Sequence, residues 1–266
     1  MEAIQPVIET EHEVDLDRWR SPEYKRLGES RLPRVRWNSK KTSVPPMYIL
    51  EDSAEAANFV EDSSTWILGD FTFEPNKETL EITTKTCWFC KEPVISVIKL
   101  LSKRIVYRKD QGNFKKGSPV PSNTAYDNSI HVIRPTYLIA ILEHLDISKY
   151  PYRLLHNVPF LWTPPISAAA IFRSRIYHPL CSHVEEIFGM DLPKHLFAIH
   201  LSSVLEKVGE PAIVANVPKA SIPTNKDHFL KHYVGDDNAT IFAEWYKKYK
   251  PENVNEAPES DESHSN

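Results

Sequence analysis

Apolar positions recur along the chain first at strand spacing and then at helix spacing. Ser53 leads into Ala54–Val60, a short run that predicts a helix. Trp66–Phe73 and Leu80–Trp88 are rich in aromatic and β-branched residues. The second alternates through Leu80, Ile82, Thr84 and Thr86, so the two predict strands joined by a turn at Asn76 and Lys77, after Pro75. Pro135 suits a first helical turn, and Leu138, Ile141, Leu142 and Leu145 recur at three and four, which predicts a helix over Thr136–Leu145. Asp191-Leu192-Pro193 has the form of a helix start. It precedes a stripe of Leu196, Phe197, His200, Leu201, Val204, Leu205 and Val208, with Gly209 as terminator. Asp237 or Asn238 caps a last helix carrying Ile241, Phe242, Trp245, Tyr246 and Tyr249, stopped by Pro251. The pattern predicts an α+β fold: a strand-containing N-terminal half, a predominantly helical C-terminal half and flexible termini.

Charge sets the expected boundaries. Residues 1–17 hold six acids and no Lys or Arg, whereas 18–41 hold nine bases against Glu23 and Glu29, a net +7. Neither block keeps a period of 2 or 3.6, so residues 1–45 are expected to be a charged flexible arm. Residues 251–266 carry five acids and no base, the composition of an acidic disordered tail. The mixed α+β core is expected over 46–250.

Composition narrows the function classes. There are 7 glycines in 266 residues, well below the usual ~7%, and 21 prolines. Phosphate-cradling loops and nucleophile elbows need glycine, and neither HExxH, GxSxG, GxGxxG nor GxxxxGK[ST] occurs. His195 and His200 are five apart, where a helical zinc pair wants four. The expectation is a protein that is not an enzyme and takes no cofactor. An N-terminus with no basic lead and no apolar run, three cysteines, and no apolar stretch near ~20 residues predict no signal peptide and no membrane span. They point to the cytoplasm or nucleus.

Four motifs carry candidate chemistry. Cys87-Trp88-Phe89-Cys90 reads as packed hydrophobes, as half a zinc site completed by Cys181 and His183, or as a redox pair followed by a helix from Lys91 to Leu101. Pro45-Pro46-Met47-Tyr48 fits PPxY, with Pro45, Pro46 and Tyr48 as partner-binding residues for a WW-type groove, or begins a strand. Phe242, Trp245 and Tyr249 share one face of the last helix, which docks on its own core or on a partner. The segment 18–41 interleaves Trp19, Tyr24 and Trp37 with its bases. Arg31, Arg34, Arg36, Trp37, Lys40 and Lys41 are therefore candidate nucleic-acid contacts, or a solvated arm folding back on the acidic termini.

The stretch Leu138–Phe172 resembles the central segment of the nonstructural NSs proteins of phleboviruses: an apolar run, a Ser-aromatic step, a leucine-rich run, then a Trp-Pro signature. Trp162, Pro164, Pro165, Ser167 and Phe172 stand in the signature's places, with Thr163 where the family has its first proline and without the family's glycine. The acidic serine-bearing tail Pro258–Ser263 is also similar. The resemblance implies a viral accessory protein of host cytoplasm or nucleus. It would bind host signalling or transcription proteins and suppress interferon induction, with self-association and nucleic acid as further partners. The alternative is a viral matrix or assembly protein that touches nucleocapsid or membrane and recruits budding machinery through PPxY.

Overall fold

Tyr137–Leu142 is buried at every position, six consecutive side chains that cannot all face one side of a helix. They form the middle of a strand covered on both faces. The computed structural model describes residues 32–39, 45–72, 82, 84–121, 123–145, 151–189, 192–209 and 212–249. Among these, one sheet is built from β1 (Arg34–Trp37), β2 (Met47–Leu50), β3 (Ile67–Thr72), β4 (Thr84–Cys90), β5 (Val94–Tyr107), β6 (His131–His144), β7 (Tyr152–Leu154), β8 (Phe160–Trp162) and β9 (Ile199–His200). Its order is β3-β4-β2-β1-β8-β6-β5-β9, with β7 beside β6. The β1–β8 pair is parallel and the other pairs are antiparallel. β10 (Ser202–Val208) and β11 (Ile213–Lys219) form a separate hairpin.

Side-chain alternation sorts the core into two faces. Val35, Trp37, Met47, Ile49, Tyr137, Ile139, Phe160 and Trp162 join one cluster with Phe172, Ile176, Leu180 and Val184. The last four come from a continuous helix: α2 (Ile166–Phe172), a π-helical turn (Arg173–Tyr177) and α3 (His178–Phe188). Ala168, Phe172, Ile176, Leu180 and Val184 recur every four residues, which on a regular helix drifts about 40° per step. The wider π turn takes up part of that drift and keeps the set on the sheet. On the opposite face Val94, Ile98, Leu138, Ala140 and Leu142 meet Phe242 and Trp245 of α5 (Asp236–Lys248). α1 (Glu51–Ala56) and α4 (Lys226–Lys231) complete the helices, the latter capped by Asn225, whose side chain accepts from the His228 N–H.

The expected helical C-terminal half is corrected. Thr136–Leu145 lies in β6, because burial on both faces removes the period-2 signature and leaves an apolar run with accidental helical spacing. Pro135 lies where only β5 flanks β6, since β8 reaches only Tyr137–Ile139. There its missing N–H need not leave a ladder bond unmade. The stretch expected as a helix after Asp191 is a 3₁₀ turn (Lys194–Leu196) followed by β9 and β10. Gly209, at φ +78°, turns the β10–β11 hairpin rather than ending a helix. Lys91–Leu101 runs into β5 and is not the helix a redox motif requires. The fold is sheet-rich throughout, with β3 and α5 close to where the pattern put a strand and a helix. No helix among the described residues is long and apolar enough to cross a membrane.

Candidate functional site

Cys87-Trp88-Phe89-Cys90 lies wholly in β4. Residues three apart on a strand face opposite ways, with Cα atoms about 10 Å apart, and a disulfide needs less than ~7 Å. Cys87 packs with Tyr48, Leu50 and Phe89 on one side, and Cys90 joins the main core on the other. Burial pushes the Cys87 thiol up to about 11 and the Cys90 thiol up to about 12. Both are therefore protonated at neutral pH, neither good nucleophiles nor ready ligands. His183 points its Nδ1 at the Pro223 carbonyl, 2.9 Å away. Among the described residues no group of three ligating side chains is placed to hold a metal.

The other sequence candidates fall as follows. Pro46 is buried, its carbonyl accepting from the Asn38 N–H at 2.6 Å, and Tyr48 is 8% exposed in a strand flanked by β1 and β4. Pro45 is half-buried beside them. Phe242 and Trp245 pack on the sheet, with Tyr249 against the same cluster, so the helix docks on its own core. The Asn238 amide fixes it there by donating to the carbonyls of Tyr152 and Val234. Trp37 is a core residue whose indole N–H donates to the Asn216 carbonyl at 2.9 Å. Arg34 and Arg36 alternate with Val35 and Trp37 and are exposed on the opposite face of β1. Arg31, Lys40, Lys41, Trp19 and Tyr24 lie outside the described residues, as do the turn at Asn76 and Lys77 and the acidic tail.

Buried polar groups elsewhere are occupied by structure. Burial raises the pKa of the Glu143 carboxyl, but hydrogen bonds from Ser64, Arg153 and Ser63 outweigh it and hold the group below its ordinary value. This anchors the Ser63–Thr65 turn to β6. His156 Nε2 accepts from the Ile141 N–H at 2.7 Å, which leaves Nδ1 as donor to the Val158 carbonyl at 2.8 Å. Burial presses this neutral imidazole down to about 3. A cleft of about 750 Å³ is lined by His144, His200, His232, Cys90, Glu92 and Lys219. Ring centroids there lie 5.6 Å (His144–His200) and 5.0 Å (His200–His232) apart, and the Tyr152 hydroxyl meets His200 Nε2 at 2.8 Å. Burial, then the His232 and His144 charges, push His200 down to about 4.

A second basic concentration, among the described residues, is not evident along the sequence. β5 carries register shifts between Val97 and Lys99 and between Leu100 and Ser102. Such bulges sharpen the local twist. Beyond them, Ser102–Tyr107 pairs with His131–Thr136 as a ribbon. From Lys103 to Arg134 the chain has seven bases (Lys103, Arg104, Arg108, Lys109, Lys115, Lys116, Arg134) and two acids (Asp110, Asp127). That is a net +5 in a chain of −4. Arg104 sits directly opposite Arg134, and like charges so placed destabilise a strand pair. The Arg134 Nε is buried without a hydrogen-bond partner. Burial, followed by the Arg34 and Arg104 charges, presses its guanidinium below the ordinary value. Two rings of the same hairpin, Phe114 and Tyr126, are each 43% exposed. Phe114 stacks on Tyr107 with centroids 4.9 Å apart, and Tyr126 lies 6.0 Å from the His131 ring. The connecting loop is pinned by reciprocal backbone bonds between Gln111 and Phe114 and by Asp110, which accepts from the Lys116 N–H at 2.7 Å. Asp127 caps the Ser129 turn in the same way. Along the sequence these bases are scattered over thirty-two residues. Pairing of the strands is what brings Arg104 and Arg134 together on one face.

No protein-family model, curated protein or solved structure matches this chain.

Proposed function

We propose that the chain is a non-enzymatic viral accessory protein of the NSs type, which captures host signalling or transcription proteins and so suppresses interferon induction. The observation that carries the reading is the engagement of its reactive side chains in structure. Cys87 and Cys90 face opposite sides of one strand with raised thiols, the Glu143 carboxylate is fully engaged, and both His156 nitrogens meet backbone groups. Function then falls to surface recognition, as the Leu138–Phe172 resemblance implies. The matrix alternative has less support, since Pro46 and Tyr48 are buried in and beside an interior strand rather than presented as an extended surface segment. An interferon-promoter reporter in cells stimulated with duplex RNA tests the proposal. The full chain should lower the signal severalfold, and a Cys87→Ser, Cys90→Ser variant should lower it equally. An unchanged reporter in cells that accumulate folded protein would sink the reading.

A further inference from the structure

We infer that the cavity between the β5–β6 ribbon and the α2–α3 helix binds a small amphipathic carboxylate, its apolar body lodged against the sheet and its charge held by Arg173, Lys103 and the Tyr137 hydroxyl. The inference is independent of host-protein capture.

The cavity measures about 280 Å³. At about 30 Å³ for one water, it has room for on the order of ten non-hydrogen atoms. Leu100, Ile133 and Pro135 line it from the strands, and Ile166, Ala169 and Ala170 line it from α2. Strand alternation puts Ile133, Pro135 and Tyr137 on one face of β6, the face that packs on Phe172.

Two departures from regular structure bring cations to this apolar space. Residues three apart on a strand normally face opposite ways. The register shift between Leu100 and Ser102 instead sets Leu100 opposite Tyr137 and Lys103 opposite Pro135, so both join the cavity face. On a regular helix, residues five apart point about 140° away from each other. The π turn reduces that angle, and Arg173 Nε donates to His178 Nε2 at 3.2 Å with both residues on the cavity. Burial, then the Arg173 and Lys103 charges, hold His178 below its ordinary value, so both cations act at one place.

The donors decide the ligand. Among the described residues no Asp or Glu lines the cavity, and neither Lys103 nor Arg173 has an acidic partner. Tyr137 is 1% exposed, and its hydroxyl has no hydrogen-bond partner among the described residues. A buried hydroxyl left unpaired is costly, and an acceptor in the cavity satisfies it. A guanidinium fork, an ammonium and a phenol are all donors, matched to the two oxygens of a carboxylate. An inorganic anion would leave the apolar walls uncovered, and a neutral apolar molecule would leave the donors unmet.

The test is isothermal titration calorimetry of the full chain with octanoate, phenylacetate and octanol. At least one carboxylate should bind at a single site with a Kd below about 1 mM, and the tighter of the two tells an aliphatic from an aromatic body. Octanol should bind at least about tenfold more weakly than octanoate. Arg173→Gln and Lys103→Gln should each weaken the carboxylate about tenfold. Tyr137→Phe keeps the ring and should weaken it about fivefold. Ala170 is exposed on α2, so Ala170→Leu should fill the cavity and abolish binding while the melting curve stays unchanged. The inference is overturned if neither carboxylate binds, or if octanol binds as tightly as octanoate. Affinity unaltered by Arg173→Gln and Ala170→Leu would overturn it as well.

Discussion

Trp162 is fully buried between Tyr137 and Phe172, ring centroids 5.9 and 4.7 Å away, and its indole N–H has no acceptor. Trp162→Ala is expected to cost roughly 3–5 kcal/mol. Trp162→Phe should cost much less, because it keeps an aromatic ring while removing a buried donor that bonds nothing. Urea denaturation of the two variants checks this, and equal losses would show the indole shape itself to be required. Gly235 is a second single-residue constraint. It precedes α5 at φ +90°, ψ 155°, a region closed to side chains, so Gly235→Ala should cost about 1–3 kcal/mol. A variant as stable as the wild type would mean the helix entry can shift.

At the scale of elements, α5 depends on its partner, since even thirteen residues form a marginal helix alone in water. Phe242 and Trp245 supply its buried face, so Phe242→Ala with Trp245→Ala should unfold the chain, seen as loss of its cooperative melt. A cooperative melt retained would mean α5 is an appendage. This helix was legible in the sequence because it is amphipathic, one face buried and the other wet, and β3, with its aromatic and β-branched residues, was legible for similar reasons. β6 was not. A strand buried on both faces shows no alternation, and Leu138, Ile141 and Leu142 matched a helical template by accident. The run from Leu196 to Val208 misled in the same way, because Gly209 suits a hairpin turn as well as a helix end.

For the molecule as a whole, the buried histidines make stability depend on pH. His200 and His156 have folded values near 4 and 3, below the ordinary 6.5. Above pH 6.5 both are neutral whether folded or unfolded, and their contribution to stability is complete. As pH falls below 6.5 the unfolded chain takes up protons that the folded chain refuses, until pH approaches 4 and then 3. Stability should therefore drop across that window by up to about 1.4 kcal/mol per pH unit for each histidine. Glu143, held below its ordinary value, adds a loss in the same direction at lower pH. Urea midpoints from pH 7 to 4 test the prediction, and His200→Gln should flatten the curve. A midpoint constant down to pH 5 would contradict it. The basic β5–β6 hairpin was the least legible feature of the molecule. The charges of the basic block 18–41 lie close together along the chain, whereas Arg104 and Arg134 become neighbours only when β5 and β6 pair.

The two-sided placement of Cys87 and Cys90 gives the molecule a pair of clocks. An alkylating reagent reaches a thiol of this kind only during the moments when its cover lifts, so its labelling rate records how often that happens. Cys87 waits under Tyr48, Leu50, Phe89 and the partly buried Phe71, while Cys90 belongs to the large core cluster, at the wall of the His200 cleft. Three residues apart on one strand, they report the breathing of two different layers. Cys87 should be modified first, and the ratio of the two rates measures how independently the thin side of the sheet opens from the thick one.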